Sequence, residues 1–264
     1  FVSFFSSLGV EVTVIEMLPK ILGPMDEEVS TELQRAFEKK GVKFHLETKV
    51  TAVRPDVVIA EYNGAVLEIP YEKLLVSVGR RAVTDGLGLE TLGVKLERGA
   101  ITVDRYMQTS VSGIYAIGDV NGVSMLAHTA AHEGVVAVDH ILGGKEEMSY
   151  HAIPGIVYSN PEIASVGRTE QELQQGGATY QVHRVPMTLS GRFVIENEQA
   201  NGICKILTDE LGVILGVHLL GNGSSEILVP AVMAVQCALK LSDLAKVVFP
   251  HPTVCEVLRL AALH

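Results

Sequence analysis

The stretch Phe249-Pro250-His251-Pro252-Thr253-Val254-Cys255-Glu256 sets a histidine five residues ahead of a glutamate. Pro252 suits the first position of a helix. That would place Glu256 on about the first turn, with its carboxylate able to reach back to the imidazole. A carboxylate so placed orients the ring, fixes its tautomer and raises its basicity, which is what proton transfer near neutral pH needs. The same residues also suit a histidine in a turn, followed by an acidic residue that favours a helix start.

A second site candidate lies near the beginning. Val10–Ile15 is a β-branched run that reads as a buried strand, and Glu16 ends it ahead of a helix. Strand, carboxylate, helix is half of a dinucleotide-binding βαβ unit. In the whole unit the carboxylate bonds a ribose 2′-hydroxyl and lies about twenty residues after the start of a Gly-x-Gly-x-x-Gly loop. Counting back about that far from Glu16 passes Phe1, so the sequence is expected to begin inside such a unit, as its non-Met first residue suggests. A strand ending in a solvated glutamate fits the same residues. On the nucleotide reading Glu16 selects NAD over NADP, because a carboxylate repels the 2′-phosphate.

The third is Gly118-Asp119, at the end of the short apolar run Ile114–Ile117. Glycine permits close backbone approach, and the aspartate can accept from a sugar or ribityl hydroxyl. In isolation the pair also reads as a plain turn. The three cysteines, Cys204, Cys237 and Cys255, have neither metal nor redox spacing. They argue against a disulfide framework and for a reducing compartment, expected to be the cytoplasm. Cys204 and Cys237 read as buried thiols and Cys255 as packing. His132 and His140 fall eight apart on one expected helix, and the remaining histidines have no ligand-spaced companions, so no metal site is expected.

The elements that would position these residues follow from periodicity. Phe1, Phe4, Phe5 and Leu8 form a helical stripe that Gly9 ends. Asp26 caps a helix to about Lys40, with Val29, Leu33, Ala36 and Phe37 on one face. Val42–Leu46 is the next strand. Segments 50–70, broken by Pro55 and Asn63-Gly64, suggest antiparallel hairpins. Leu74–Val78 reads as a further buried strand, Ile114–Ile117 as a short one, and 126–142 as a helix. From Pro154 the pattern is strand, a helix over 170–175, strands near 180–187, 202–208 and 213–220, then two or three helices: an α+β domain with an antiparallel sheet.

Composition sets outer limits. Of 264 residues, 21 are Lys or Arg and 31 Asp or Glu, a net charge of −10, which argues against nucleic-acid binding. No run of about eighteen apolar residues exists, so no membrane-spanning helix is expected. With 47% hydrophobic and 20% charged residues the chain is ordinary globular protein, not disorder.

Several segments occur together in a recognisable order: Val12–Pro19 (VTVIEMLP), Leu75–Arg80 (LVSVGR), Thr109–Val120 (TSVSGIYAIGDV), Met125-Leu126-Ala127-His128 and Tyr158–Gly167 (YSNPEIASVG). The chain resembles the flavoprotein disulfide reductases with two dinucleotide-binding domains, the pyridine nucleotide-disulfide oxidoreductases. Within them it is most similar to the dihydrolipoamide dehydrogenases. The resemblance implies α/β plus α+β architecture: a partial NAD-binding domain over 1–103, the last segment of an FAD-binding domain over 104–149, and an α+β dimerisation domain over 150–264. It implies that Glu16 binds the adenosine ribose of NAD, that Val50 and Gly79 line the NAD site, and that Gly118 and Asp119 bind FAD. Met125, Leu126, Ala127 and His128 would open a helix whose N–H groups face the flavin.

The resemblance further implies that His251 is the acid–base and Glu256 its orienting partner, serving the disulfide of the other subunit of a homodimer. A lipoyl domain of a 2-oxo acid dehydrogenase complex would be the partner. Ala82, Thr84 and Thr129 depart from residues common in the family. Glutathione-reductase-like enzymes share the His-Pro-Thr-x-x-Glu ending but use NADP. Mercuric reductases end in a cysteine pair, and soluble transhydrogenases lack the His–Glu pair. The chain has no Cys-x-x-x-x-Cys and neither glycine loop. It is therefore expected to be the C-terminal portion of such an enzyme, dimeric, without stoichiometric flavin and inactive alone; a non-enzymatic dimerisation module is the alternative.

Overall fold

The computed structural model describes residues 1–198 and 201–264. They form two compact units: residues 1–74 with 151–264, and residues 75–150.

The first unit begins with α1 (Val2–Ser7), β1 (Thr13–Ile15), α2 (Glu27–Lys39) and β2 (Lys43–His45). Asp26 caps α2 by accepting from the Glu28 N–H at 3.1 Å, and acidic Glu27 and Glu28 on the first turn suit the helix dipole. β1 and β2 pair in parallel. The expected strand over 10–15 is thus shorter, and it is half-buried rather than buried, because only β2 flanks it among the described residues. β3 (Lys49–Val53), β4 (Val57–Tyr62) and β5 (Ala65–Pro70) make the expected antiparallel meander. Asn63 and Gly64, both at positive φ, turn between its last two strands.

The second unit holds α3 (Leu89–Leu92), the short hairpin β6 (Leu96–Glu97) and β7 (Ala100–Ile101), a 3₁₀ turn at Gly118–Asn121, and α4 (Ala127–Ile141). Its apolar cluster is small: Leu89, Val94, Ile101 and Ala116 are its buried members. Two sequence expectations fail here. Residues 74–78 form no strand, and Val78 is 92% exposed. An apolar run of this kind needs strands on both sides, and it pairs with none among the described residues. Ile114–Ile117 makes only a single bridge, Tyr115 to Gln108, instead of a strand.

The rest of the first unit is built on a sheet. β8 (Gly155–Val157), β9 (Ile163–Gly167), α5 (Glu170–Gln175), β10 (Gln181–Pro186), α6 (Gly191–Glu196), β11 (Ile203–Thr208) and β12 (Ile214–Leu220) precede four helices, α7 (Ser224–Ile227), α8 (Val229–Gln236), α9 (Leu241–Lys246) and α10 (Glu256–Leu263). Strand order is β10-β11-β12-β9-β8, antiparallel throughout, the sheet expected for an α+β domain. Sequence reasoning missed β9 and α6.

Alternation divides the sheet into two faces. Ala164, Val166, Cys204, Ile206, Val217 and Leu219 pack with α8 and α10 in one core. Ile163 and Leu220 point the other way, against Val29, Leu33 and Phe37 of α2. β11 is therefore buried along its whole length. Cys204 is buried as expected, but Cys237, at the C-terminal cap of α8, is exposed.

Candidate active site

His251 and Glu256 meet as the spacing suggests. The Nδ1 of His251 and Oε2 of Glu256 are 2.8 Å apart. A carboxylate can only accept in this pair, so Nδ1–H donates and Nε2 carries the lone pair. The imidazole is 78% exposed whereas the Glu256 side chain is 15% exposed, so the fixed carboxylate holds the open ring. The local route differs from the expected one. Pro252 does not start the helix; it follows a cis peptide bond, and α10 begins at Glu256 itself. Residues 251–255 form the approach, braced by the Thr253 hydroxyl donating to Pro250 O at 2.7 Å, and by Ser190 Oγ donating to Thr253 O at 2.9 Å. Glu256 thereby sits on the first turn of α10, with Val257 and Leu258 anchoring that turn in the core.

Cys204 and Cys255 lack thiolate character. Burial pushes the Cys204 thiol well up from its ordinary pKa, and the neighbouring Cys255 adds to this. Burial also raises Cys255. Both stay protonated near neutral pH, so neither is a nucleophile beside Glu256.

Glu16 closes β1. Its N–H donates to His45 O at 2.9 Å, its C=O accepts from Thr48 N–H at 2.9 Å, and its Oε1 accepts from Leu18 N–H at 2.8 Å. The first two bonds tie the end of β1 to the run that enters β3, where Val50 is 44% exposed. Glu16 and Val50 thus belong to one hydrogen-bonded corner of the first unit.

Gly79, Gly118, Asp119 and Met125–His128 belong to the second unit. Gly79 has φ +111 with open space around its missing side chain. The next residue, Arg80, donates to Met125 O at 3.0 Å. Gly118 has φ +74, and a Cβ there would come within 3.2 Å of the Ala130 Cβ, so the turn lies directly against the first turns of α4. Asp119 is exposed between buried Gly118 and Asn121. Leu126 precedes α4 without a side-chain cap, while Ala127 and His128, both exposed, open the helix. A turn packed so closely that it tolerates only glycine, an outward carboxylate and an uncapped helix start fit a polyhydroxylated, anionic ligand.

The family model of the pyridine nucleotide-disulphide oxidoreductases matches residues 1–134, and the model of that family's dimerisation domain matches residues 153–262. The chain belongs to the pyridine nucleotide-disulphide oxidoreductase family. Members are flavoprotein oxidoreductases dependent on FAD and NAD or NADP. The chain is 38% identical over 270 residues to a mitochondrial dihydrolipoyl dehydrogenase of Pisum sativum, covering 99% of this chain and 54% of the relative. It is also 38% identical to a leghemoglobin reductase of Glycine max, covering 99% and 51%. Among solved structures, LpdA from Mycobacterium tuberculosis superposes with a TM-score of 0.89 at 29% identity, over 100% of this chain and 58% of that one. The chain spans about half the length of the curated relatives it matches.

Sequence reasoning missed two buried polar centres. In the second unit, Glu133 of α4 is fully buried and bonds Gly118, Asn121 and Tyr150. In the first, Lys205 of β11 is 1% exposed and its ammonium bonds both Asp26 oxygens, at 3.0 and 3.2 Å, and Glu170 Oε2 at 2.5 Å. Burial opposes the charge on Lys205, but these carboxylates outweigh it and hold the pKa above the ordinary lysine value. Burial likewise pushes against ionised Asp26. The His218 ring, the Glu170 N–H and Lys205 outweigh it, so its pKa lies below the ordinary aspartate value. Both centres had a signal. Glu133 lies on the buried stripe Thr129, Glu133, Val136, Ala137, and Lys205 interrupts the apolar strand Ile203–Thr208.

Proposed function

We propose that this chain supplies the acid–base pair and parts of the NAD and FAD sites of a dihydrolipoyl dehydrogenase. The observation that carries the reading is the 2.8 Å contact between His251 and Glu256. With Nδ1–H committed to the carboxylate, Nε2 takes a proton from a thiol of the dithiol substrate. What remains is a thiolate, the form that attacks a disulfide. Glu256 stabilises the imidazolium while the proton is held, and keeps the ring from turning away.

Glu16 is proposed to accept from the adenosine ribose of NAD, with Val50 in the same corner of the first unit; Gly79, in the second unit, is proposed as a further NAD contact on the family resemblance alone. Asp119 is proposed to accept from the ribityl chain of FAD, with Gly118 allowing the approach and the α4 start facing the ring system. When bound, flavin and nicotinamide supply the two-electron chemistry that no side chain provides. The dimerisation domain supports a homodimer in which His251 serves the partner subunit, and a lipoyl domain is proposed as the macromolecular substrate, in the cytoplasm. The redox disulfide is proposed to come from outside this chain, so the chain by itself should form no NADH from dihydrolipoamide.

The test is His251→Gln in the flavin-loaded enzyme. Dihydrolipoamide oxidation should fall by roughly 10²-fold or more, the scale of a positioned acid–base, while reduction of the flavin by NADH stays near wild type. Equal loss of both half-reactions would remove His251 from this role.

A further inference from the structure

Glu133 lies at the junction of the Gly118–Asn121 turn, helix α4 and Tyr150. Its side chain is 0% exposed. Oε2 accepts from Gly118 N–H at 2.6 Å and from Asn121 Nδ2 at 3.0 Å, and Oε1 accepts from the Tyr150 hydroxyl at 2.7 Å. All three partners donate, the pattern that lets a buried carboxylate persist without water. Burial first, and then the bond to Glu133, raise the Tyr150 pKa, so the hydroxyl stays a donor.

The geometry of the turn shows what the carboxylate does. One oxygen draws in both ends of the turn, Gly118 and Asn121, and both are buried. Asp119 between them is left exposed. The Tyr150 bond fixes the other oxygen, so the carboxylate cannot rotate and release the turn. Asn121 Oδ1 extends the clamp by accepting from Val123 N–H at 2.9 Å, which leads the chain on toward the α4 start.

We propose that Glu133 is a positioning residue for the flavin: by clamping Gly118 and Asn121 it aims the Asp119 carboxylate at the hydroxylated chain of the dinucleotide. The inference rests on the reading of Asp119 as a flavin ligand.

The test uses the full-length flavin-loaded enzyme. Release of FAD is followed by recovery of free-flavin fluorescence, beside the melting temperature of the apoprotein. Glu133→Ala should weaken FAD binding roughly ten-fold, the scale of a charge-assisted hydrogen bond. Glu133→Gln, which keeps an acceptor oxygen for Gly118 N–H, should recover most of that loss. Val136→Ala is the control: it is buried on the same helix and should lower melting without changing FAD release. Should Glu133→Ala not fold, Tyr150→Phe takes its place, with an expected loss of about three-fold, because it frees one carboxylate oxygen while the bonds to Gly118 and Asn121 remain. Unchanged FAD release in the variant that folds, or an equal change in Val136→Ala, overturns the proposal while leaving the flavin reading intact. A wild-type enzyme that binds no flavin sinks that reading and this one together, a result read before any variant is made.

Discussion

The five-stranded sheet of the first unit and the 75–150 unit make opposite use of apolar residues. In the sheet, β11 is buried on both faces and even its lysine is 1% exposed. In the second unit four buried residues make the cluster, while Val76 and Val78 stand 69% and 92% exposed. The family model covering residues 1–134 is that of the pyridine nucleotide-disulphide oxidoreductases, and the one covering 153–262 is that of their dimerisation domain. The difference teaches that the latter closes its own core within this chain, apart from the unit that carries the residues proposed to hold the flavin. The second unit holds its turn by polar bonds to one carboxylate instead of by apolar mass.

The strongest way to break this contrast is to remove charge from the sheet. Lys205→Met should leave Asp26 buried and unpaired, at a cost of about 3–5 kcal/mol, measured by urea unfolding of the chain. Adding Asp26→Asn should recover much of the loss, because removing both partners of a buried pair is far milder than removing one. If Lys205→Met unfolds like wild type, the ion pair is not what joins α2 to the sheet. Next comes Leu219→Ala, which opens a cavity in a fully buried position and should cost about 2–5 kcal/mol by the same measurement.

Acid and alkali should separate the two regions. Burial is the main cause that lowers the His218 pKa below its ordinary value, and Asp26 is lowered too. As pH falls below about 6.5, the unfolded chain takes up a proton at His218 that the folded chain refuses, so stability declines. Below about 3.9 the unfolded chain also protonates Asp26 before the folded one, and the loss deepens. Tyr150 is raised, so above about 10 the unfolded chain ionises while the folded one resists, and stability falls with rising pH. Lys205 is raised too, so its contribution is likewise lost as pH rises above about 10.4, where the unfolded chain gives up the proton first. Amide exchange followed against pH should therefore show the sheet loosening first in acid. A sheet indifferent between pH 7 and 5 would remove His218 from this account.

How much of this could be read beforehand depended on sequence distance. His251 and Glu256 are five residues apart and the turn that joins them is local, so the pairing was legible even though the helix starts four residues later than Pro252 suggested. The α2 cap and its stripe were legible for the same reason. Leu74–Val78 was misread because its composition records a buried strand, while burial depends on neighbours that a pattern cannot count. Glu133 escaped because its partners stand 15, 12 and 17 residues away, and a helix over 126–142 does not by itself show which side chains its fold buries.

The smallest effect tests the weakest side of the comparison. Val78→Ala removes two methyl groups from a side chain already open to solvent, so the loss of burial is near nothing and the change should stay within about 0.5 kcal/mol. The same substitution at Val217, which is fully buried in the sheet, removes the same atoms from a packed core and should cost several times more. Because the chemistry of the two changes is identical, their ratio in urea unfolding isolates the environment. Equal costs would mean that residues 74–78 are covered in solution, by a second copy or by further polypeptide. The exposed run would then be an interface rather than an idle surface segment.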